Sequence, residues 1–221
     1  MSKIKTFITT IPFQGKDSNG NDMLKPVQYT PVGNSRLTYG ETRFPVVPLI
    51  NGYAERGDKI RVIAILTDGD NFRHNFDTYF VPEINALVEK NGYVFDGVEI
   101  VTSSDNEDIN TQLTLFIDII AKIGEGEEIS ACITYGTKPT PIVQTMALNY
   151  AHKLKNTKIE CVVYGRFRHG NPIGDIFDTT ALFYMDSIVN KLAENKASDP
   201  EKAIRIMLGL NDTAEDDDEY E

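Results

Sequence analysis

Short runs of apolar and β-branched residues alternate along this chain with segments whose apolar residues recur at helical spacing. The runs predict strands buried on both faces, at residues 4–10, 59–67, 98–101, 129–134 and 159–164. Helices are predicted at residues 77–90, between 104 and 120, and at 141–153 and 179–194. Because such strands pair in parallel through right-handed crossovers, the alternation predicts a Rossmann-like, doubly wound α/β fold with a mainly parallel sheet.

Three segments between these elements have weaker patterns. Residues 12–39 are polar and rich in turn-forming residues, which predicts a long loop or a hairpin. Residues 41–56 have helical spacing, but Pro45 and Pro48 predict that the helix starts late or is kinked. Residues 165–172 are predicted to form a polar loop or hairpin.

The helix between 104 and 120 is predicted to carry its apolar residues on one face. That face comprises Leu113, Phe116, Ile117 and Ile120. Residues 104–107 offer caps for its start.

The length of 221 residues suits one domain with a small extension. We expect the Rossmann-like domain to span residues 1–195 and a short C-terminal helix, beginning after Asp199, to lie within 196–211. Residues 212–221 are strongly acidic and are predicted to be disordered. No separate effector domain is expected.

Composition narrows the classes of partner. The chain has 33 acidic and 22 basic residues, a net charge of −11, which argues against binding long nucleic acid but allows a small polyanion. No run approaches the roughly 20 apolar residues of a membrane span, and the N-terminus lacks a secretory pattern. We therefore expect a soluble cytoplasmic protein that does not contact a membrane.

Sequence motifs exclude several kinds of site. The P-loop pattern, the glycine-rich dinucleotide fingerprint and the Gly-x-Ser-x-Gly elbow are all absent. The three histidines, His74, His152 and His169, lie on separate segments, and both cysteines, Cys132 and Cys161, fall within predicted strands. We expect neither a metal site nor a cofactor.

Ligands of open α/β sheets bind beyond the carboxyl ends of the strands, so the informative residues are those that follow each predicted strand. They include Thr9, Thr10, Ile11, Thr67, Asp68, Thr134, Gly136, Thr137, Lys138 and Arg166. The segment 134–141 stands out, because a glycine, hydroxyls and Lys138 lead into a helix start, an arrangement that favours a phosphate. An ordinary strand-to-helix turn would give the same pattern.

Two further groups of residues have more than one interpretation. Arg166, Arg168 and His169 form a basic cluster that could meet phosphates or could line a solvated hairpin. Tyr29, Arg36, Tyr39 and Arg43 lie in or beside the long first loop, where they could stack on a base, pair with phosphate or serve packing.

Residues 129–141 resemble the Asp-Val-Thr-His-Gly-Phe-Arg-x-x-Pro signature of the CRISPR-associated Rossmann fold (CARF) family. Thr134, Gly136 and Pro141 match this signature, and Lys138 replaces its arginine. Cys132, Tyr135 and Thr137 depart from it, so the roles of the family's side chains at those positions do not carry over. Other landmarks agree in order, and the likeness covers most of residues 3–190.

The resemblance implies a homodimer that binds cyclic oligoadenylate, the second messenger of type III CRISPR antiviral signalling, in a two-fold pocket. Thr9, Thr10, Thr67, Gly136, Thr137 and Lys138 would line it. Four adenylates would suit the two-fold symmetry, and six are compatible.

The leading hypothesis is a stand-alone ring nuclease that slowly cleaves the ring without metal. Lys138 would stabilise the phosphorane, and Thr9 or Thr10 would orient the ribose. The alternative is a non-catalytic sensor or sequestering protein. A third possibility is an unrelated nucleotide-binding domain.

Overall fold

The structure, a computed structural model, describes residues 4–167 and 172–210. The chain divides into two compact units, residues 1–179 and 180–221. The sequence places the domain boundary later, at residue 195, after the long helix. None of the described helices is both long enough and apolar enough to cross a membrane.

The first unit contains one sheet, and the strands of this sheet come from the whole length of the unit. Its described strands are β1 (Lys5–Thr10), β2 (Val27–Val32), β3 (Glu41–Thr42), β4 (Lys59–Thr67), β5 (Val94–Ser103), β6 (Glu128–Cys132), β7 (Lys158–Phe167) and β8 (Ile173–Asp178). Its described helices are α1 (Val46–Tyr53), α2 (Asp70–Asn75), α3 (Val81–Asn91), α4 (Ile109–Lys122) and α5 (Thr140–Leu154). A π-helical turn, Phe76–Phe80, joins α2 to α3.

The strand order confirms the predicted Rossmann-like, doubly wound α/β fold. The sheet runs β3-β2-β8-β7-β6-β1-β4-β5, and the five strands from β7 to β5 are parallel. From β1 the chain first adds β4 and β5 on one side and then returns to add β6 and β7 on the other. This reversal places a topological switch point between β1 and β6, where ligands of such sheets bind.

Helices cover both faces of the parallel strands. Phe7 and Val62 belong to a buried cluster with Leu49 of α1 and Ile84 of α3. The next strand residues, such as Ile63, are also buried but lie outside that cluster, because successive side chains in a strand point to opposite faces. The opposite face is therefore covered by α4 and α5.

The predicted loop at residues 12–39 is partly wrong, because it contains β2. This strand pairs in parallel with β8, which in turn runs antiparallel to β7. Val27 and Tyr29 are buried while Gln28 between them is exposed. The alternation is confined to these few residues and ends at Pro31, so the turn-forming residues around it masked the strand.

The helix predicted at residues 41–56 is shorter than expected. Residues 41–42 form β3, and α1 begins only at Val46, with Pro45 as its N-cap. Pro48 is accommodated in the first turn, where backbone N–H groups have no helical partner. The strand predicted at 98–101 is longer in the structure, because polar residues of an exposed edge strand interrupt the apolar pattern of β5.

The face that α4 buries differs from the predicted apolar face. The helix buries Gln112, Leu115 and Ile119, whereas Leu113 is 56% exposed and Ile117 is 55% exposed. Two apolar stripes run along α4, and the pattern alone does not say which one meets the sheet. The cap is also one residue later than predicted, since Asp108 accepts a hydrogen bond from the Thr111 backbone at 2.8 Å.

A buried ion-pair network joins the amino-terminal ends of β1, β4 and β6. Nη2 of Arg61 lies 2.8 Å from both carboxylate oxygens of Glu127, and Nη1 lies 2.7 Å from Glu99. Arg61 Nε also donates to Thr6, whose hydroxyl donates to Glu127 at 2.7 Å. Partial burial acts to raise the pKa of Glu99, but hydrogen bonds from Lys122 and Arg61 hold that pKa below its ordinary value.

The second unit contains two described helices, α6 (Thr180–Glu194) and α7 (Pro200–Met207). The predicted helix after Asp199 is confirmed, because the Asp199 side chain caps α7 by accepting from the Lys202 backbone at 3.0 Å. The predicted tail, 212–221, lies outside the described residues.

Candidate functional site

A cavity of about 540 Å³ opens at the carboxyl edge of the parallel strands. It is lined by Pro12, Phe13, Gln14, Thr67, Phe72, Asp105, Thr134, Tyr135, Gly136 and Thr137. These residues come from the segments that follow β1, β4, β5 and β6. The cavity therefore lies at the switch point, the position at which open α/β sheets hold their ligands.

The loop from β6 to α5 forms one wall of this cavity. Gly136 has φ +114°, a conformation that favours glycine, and a Cβ there would lie 2.7 Å from the Thr140 side chain. The hydroxyls of Thr137 and Thr140 are 3.1 Å apart. Within the described residues, the backbone N–H groups of 136–138 donate no hydrogen bond.

These free amides lie next to the N-terminus of α5. A helix of this length presents partial positive charge there, and the neighbouring N–H groups of the loop are unpaired. The loop can therefore hold an anionic oxygen without a cationic side chain. This is the chemistry that a phosphate requires.

Thr134 and Tyr135 hold this loop on the rest of the fold. The Thr134 hydroxyl accepts from the Gly165 backbone at 2.8 Å, and the Tyr135 hydroxyl donates to the Arg43 carbonyl at 3.0 Å. Burial, together with the neighbouring Tyr29, raises the pKa of Tyr135 well above its ordinary value. Tyr135 therefore stays a neutral phenol and supplies an apolar ring to the cavity wall.

The segment after β1 forms the opposite wall, and a single buried side chain fastens it. The Asn75 amide donates to the carbonyls of Pro12 and Gln14, both at 2.9 Å. The residue between them, Phe13, is 65% exposed, and its ring centroid lies 5.3 Å from that of Phe72. Asn75 thus fixes the backbone on both sides of an exposed aromatic ring.

Farther along, the same segment is tied to the π-helical turn. Tyr79 donates a hydrogen bond to Asp22, and His74 lies 3.5 Å from the same carboxylate. The hydrogen bond from Tyr79 is the main reason that the pKa of Asp22 is lowered. Arg43 lies 4.3 Å above the Tyr79 ring and pairs with Glu83 at 2.8 Å.

The polar and aromatic residues predicted in the first loop make structural contacts. Tyr29 is buried in the core, Arg36 lies 4.1 Å above the Tyr53 ring, and Lys90 lies 5.2 Å above the Tyr39 ring. Together with the ion pair between Arg43 and Glu83, these contacts agree with the interpretation that the residues serve packing and do not bind a base or a phosphate.

Four of the residues singled out in the sequence line the cavity: Thr67, Thr134, Gly136 and Thr137. Thr9, Thr10 and Ile11 are buried and are not among the lining residues. The hydroxyl of Thr10 accepts from the buried Gln144 amide at 2.5 Å. Packing of α5 on β1 therefore takes the Thr10 side chain out of reach of the cavity.

The remaining candidates also lie outside the cavity lining. Asp68 and Lys138 are exposed. Arg166 pairs with Asp175 at 2.6 Å and lies 5.1 Å above the Phe177 ring, on the β7–β8 hairpin. Arg168 and His169 lie outside the described residues. Arg166 is thus engaged by its own hairpin.

Sequence reasoning did not identify four of the lining residues as candidates, Phe13, Gln14, Phe72 and Asp105. Pro12 and Tyr135, which also line the cavity, belong to the segments that follow predicted strands and were informative for that reason alone. A usable signal was present at Phe13, because a large aromatic residue three positions after the end of β1 lies in a connecting segment, where binding residues are often found.

No metal site is evident in the part of the chain that the structure describes. Among the described residues, no group of three or more His, Cys, Asp or Glu side chains is placed to hold a metal ion.

No model of a known protein family matches the chain, and no curated protein is recognisably similar to it.

Proposed function

We propose that the switch-point cavity binds one adenylate portion of a cyclic oligoadenylate. The observation that carries this proposal is that Gly136 and Thr137 of a phosphate-type loop and an aromatic pair, Phe13 and Phe72, line one cavity. A nucleotide needs both kinds of surface, one for its phosphate and one for its base. The resemblance of residues 129–141 to the CARF signature supports the same class of ligand.

The size of the cavity supports a homodimer. About 540 Å³ is in the range that holds one drug-sized molecule, such as a mononucleotide. A ring of four adenylates is about four times larger, so it needs more than one such cavity. Two copies related by a two-fold axis would supply matching cavities to a two-fold ligand.

Two adjacent apolar stripes supply a surface for the second copy. On α4 the stripe comprises Ile109, Leu113 and Ile117, and on α5 it comprises Ile142 and Met146. The two helices contact each other, with the rings of Phe116 and Tyr150 edge to face at 6.0 Å. Because α5 begins at the cavity loop, a copy packed on this surface lies close to both cavities.

An Ile117→Glu variant is expected to shift the protein toward the monomer, because a carboxylate would have to be buried in the apolar interface. Sedimentation equilibrium measures the change. The matched control is Val94→Glu, which alters an equally exposed residue on β5 and should leave the association constant unchanged. A wild-type protein that is monomeric at all concentrations would contradict the homodimer.

Binding without cleavage is the function that the arrangement favours. The hydroxyls of Thr9 and Thr10 are buried, and Lys138 does not line the cavity, so the groups expected to catalyse ring opening are not gathered there. One observation favours the ring nuclease as a second candidate. Asp105 lines the cavity, and its carboxylate can accept the proton of a ribose 2′-hydroxyl as that oxygen attacks the adjacent phosphorus. The bond from phosphorus to the 5′-oxygen then breaks, which leaves a 2′,3′-cyclic phosphate and a 5′-hydroxyl that takes its proton from water.

Incubation with cyclic tetra-adenylate and cyclic hexa-adenylate in EDTA separates these functions. We expect tight binding by calorimetry, and Thr137→Val should weaken it roughly tenfold, the loss of about 1.4 kcal/mol from one hydrogen bond to phosphate. Thr114→Val, on the exposed side of α4, is the control. Failure of both rings to bind would overturn the proposal.

The products of the same incubation decide between binding and catalysis. An intact ring after prolonged incubation identifies a binding protein. Linear products that disappear in Asp105→Asn, while that variant still binds the ring, identify a ring nuclease with Asp105 as the general base.

A further inference from the structure

A row of apolar side chains crosses three strands on one face of the sheet. Tyr164 of β7 lies opposite Phe177 of β8, and Phe177 is also the register partner of Val32 of β2. Residues that lie opposite each other on paired strands project from the same face of a sheet. Tyr164 is 42% exposed and Val32 is 41% exposed, so this hairpin row stays open in the folded chain.

The Tyr164 ring is held in place by its neighbours. It lies close to parallel with the Phe177 ring, with the centroids 6.5 Å apart and the planes inclined at 28°. Arg166 lies 5.1 Å above the Phe177 ring and pairs with Asp175 at 2.6 Å. Because Asp175 balances the charge of the arginine, the surface is suited to a neutral planar group rather than to a phosphate.

The hairpin row lies beside the loop from β6 to α5, on the side away from the cavity. Gly165, which follows Tyr164, donates its backbone N–H to the hydroxyl of Thr134 at 2.8 Å, and Thr134 lines the cavity. Because β6 lies between β1 and β7 in the sheet, its loop separates the segment after β1 from the β7–β8 hairpin. The loop therefore has an aromatic side chain on each side, Phe13 in the cavity and Tyr164 on the hairpin.

The Tyr164 ring is also on the same face of the sheet as the start of α5. Val163 belongs to the buried cluster that packs with α1, and successive side chains of a strand point to opposite faces. Tyr164 therefore projects toward the face that α5 covers. The loop with the unpaired amides leads into α5 on that face.

We propose that Tyr164 stacks against the base of a second nucleotide, the one joined by a phosphodiester to the nucleotide in the cavity. The phosphate between them lies on the loop, one base enters the cavity beside Phe13, and the next base lies on the Tyr164 ring. This inference rests on the proposed function for the choice of a linked nucleotide. It assigns a separate site, because the hairpin row does not line the cavity.

The size of the row favours a nucleotide over a protein partner. A stable protein interface takes about 20–30 residues from each side. The row offers only Val32, Tyr164 and Phe177, with the exposed Ile173 nearby on β8. One base, in contrast, needs a single open aromatic face.

The chain has no tryptophan, so Tyr164→Trp introduces a single fluorescent reporter of stacking. Titration with the dinucleotide ApA or with cyclic tetra-adenylate should quench its emission, whereas AMP, which fills the cavity alone, should quench it much less. Val94→Trp, at the start of β5, is the control, and its emission should not change. Unchanged emission of Tyr164→Trp when calorimetry shows ApA or the ring to be bound would overturn the subsite.

Tyr164→Leu measures the same contact as an affinity. It should weaken ApA and cyclic tetra-adenylate at least about fivefold, the loss of one base–aromatic stack, and leave the affinity for AMP unchanged. Phe13→Leu is the matched variant and should weaken all three ligands, because that ring lines the cavity. Wild-type affinity of Tyr164→Leu for ApA and the ring would overturn the subsite. So would a change in its association state without ligand, which would identify the row as a protein interface.

The two proposals fail in different ways. Binding of ApA that is weakened by Tyr164→Leu, without binding of either cyclic oligoadenylate, would leave the subsite in place and overturn the proposed function. Binding of a cyclic oligoadenylate that does not depend on Tyr164 would overturn the subsite alone. Failure of AMP, ApA and both rings to bind at millimolar concentration would overturn both.

Discussion

An Arg61→Met variant is expected to lose about 3–5 kcal/mol of unfolding free energy, because it leaves Glu127 buried without its cation. In the intact protein, Nη2 of Arg61 lies 2.8 Å from both oxygens of that carboxylate. Methionine matches much of the volume of the arginine stem and supplies no charge. Urea-induced unfolding, followed by circular dichroism, measures the change.

Two further variants identify the cause of that loss. Lys59→Met breaks the exposed pair with Asp96 and should change stability by less than about 1 kcal/mol. The double variant Arg61→Met with Glu127→Gln removes both charges and should recover part of the loss. An Arg61→Met protein no less stable than Lys59→Met would contradict the importance of the network.

An Asn75→Asp variant is expected to lose about 3 kcal/mol of unfolding free energy and most of the nucleotide affinity. An ionised carboxylate of the same size cannot donate to the carbonyls of Pro12 and Gln14, so it faces two acceptors in a buried site. Hydrogen exchange over residues 12–24 should accelerate, because those residues lose their attachment to α2.

The stability deficit of Asn75→Asp should depend on pH. Burial beside two carbonyls raises the folded-state pKa of the new carboxyl above its unfolded value, so the protonated form is favoured by folding. The deficit should therefore be smallest at pH values below the unfolded pKa of about 3.9 and should grow as the pH rises through the folded pKa. Asn85→Asp, on the exposed side of α3, is the control and should stay within about 0.5 kcal/mol of wild type.

The parallel core was predictable because its strands carry an unmistakable signal. Residues 62–65 form an uninterrupted apolar run, and β4 was predicted with its observed bounds. The crossover rules then limit the possible strand orders, but the order itself comes from the structure.

The half-buried parts of the sheet were harder to predict. The pattern of β2 depends on Val27 and Tyr29 alone, and its pairing with β8 depends on a segment far later in the chain. Likewise, Leu113 and Leu115 belong to different stripes of α4, and only packing against the sheet distinguishes them. The local spacing of apolar residues does not indicate which distant strand or sheet face a segment will pack against.

The site was predictable to the extent that it follows from topology. Thr67, Thr134, Gly136 and Thr137 come directly after strands and reach the cavity, as the switch-point rule requires. Thr10 also follows that rule, but its hydroxyl is taken by Gln144 of α5. The wall formed by Phe13 and Gln14 depends on Asn75, a contact between distant segments that no motif describes.

The two outer strands of the sheet limit how the protein can associate. At one edge β3 has only two residues. At the other edge β5 bulges at Asp96 and Gly97 opposite Arg61, where its register with β4 shifts, and Lys59 pairs with Asp96 there. Short, bulged and charged edges resist the strand-to-strand addition that leads to fibres and aggregates. In the proposed homodimer, association therefore uses the helical surface and not the strand edges.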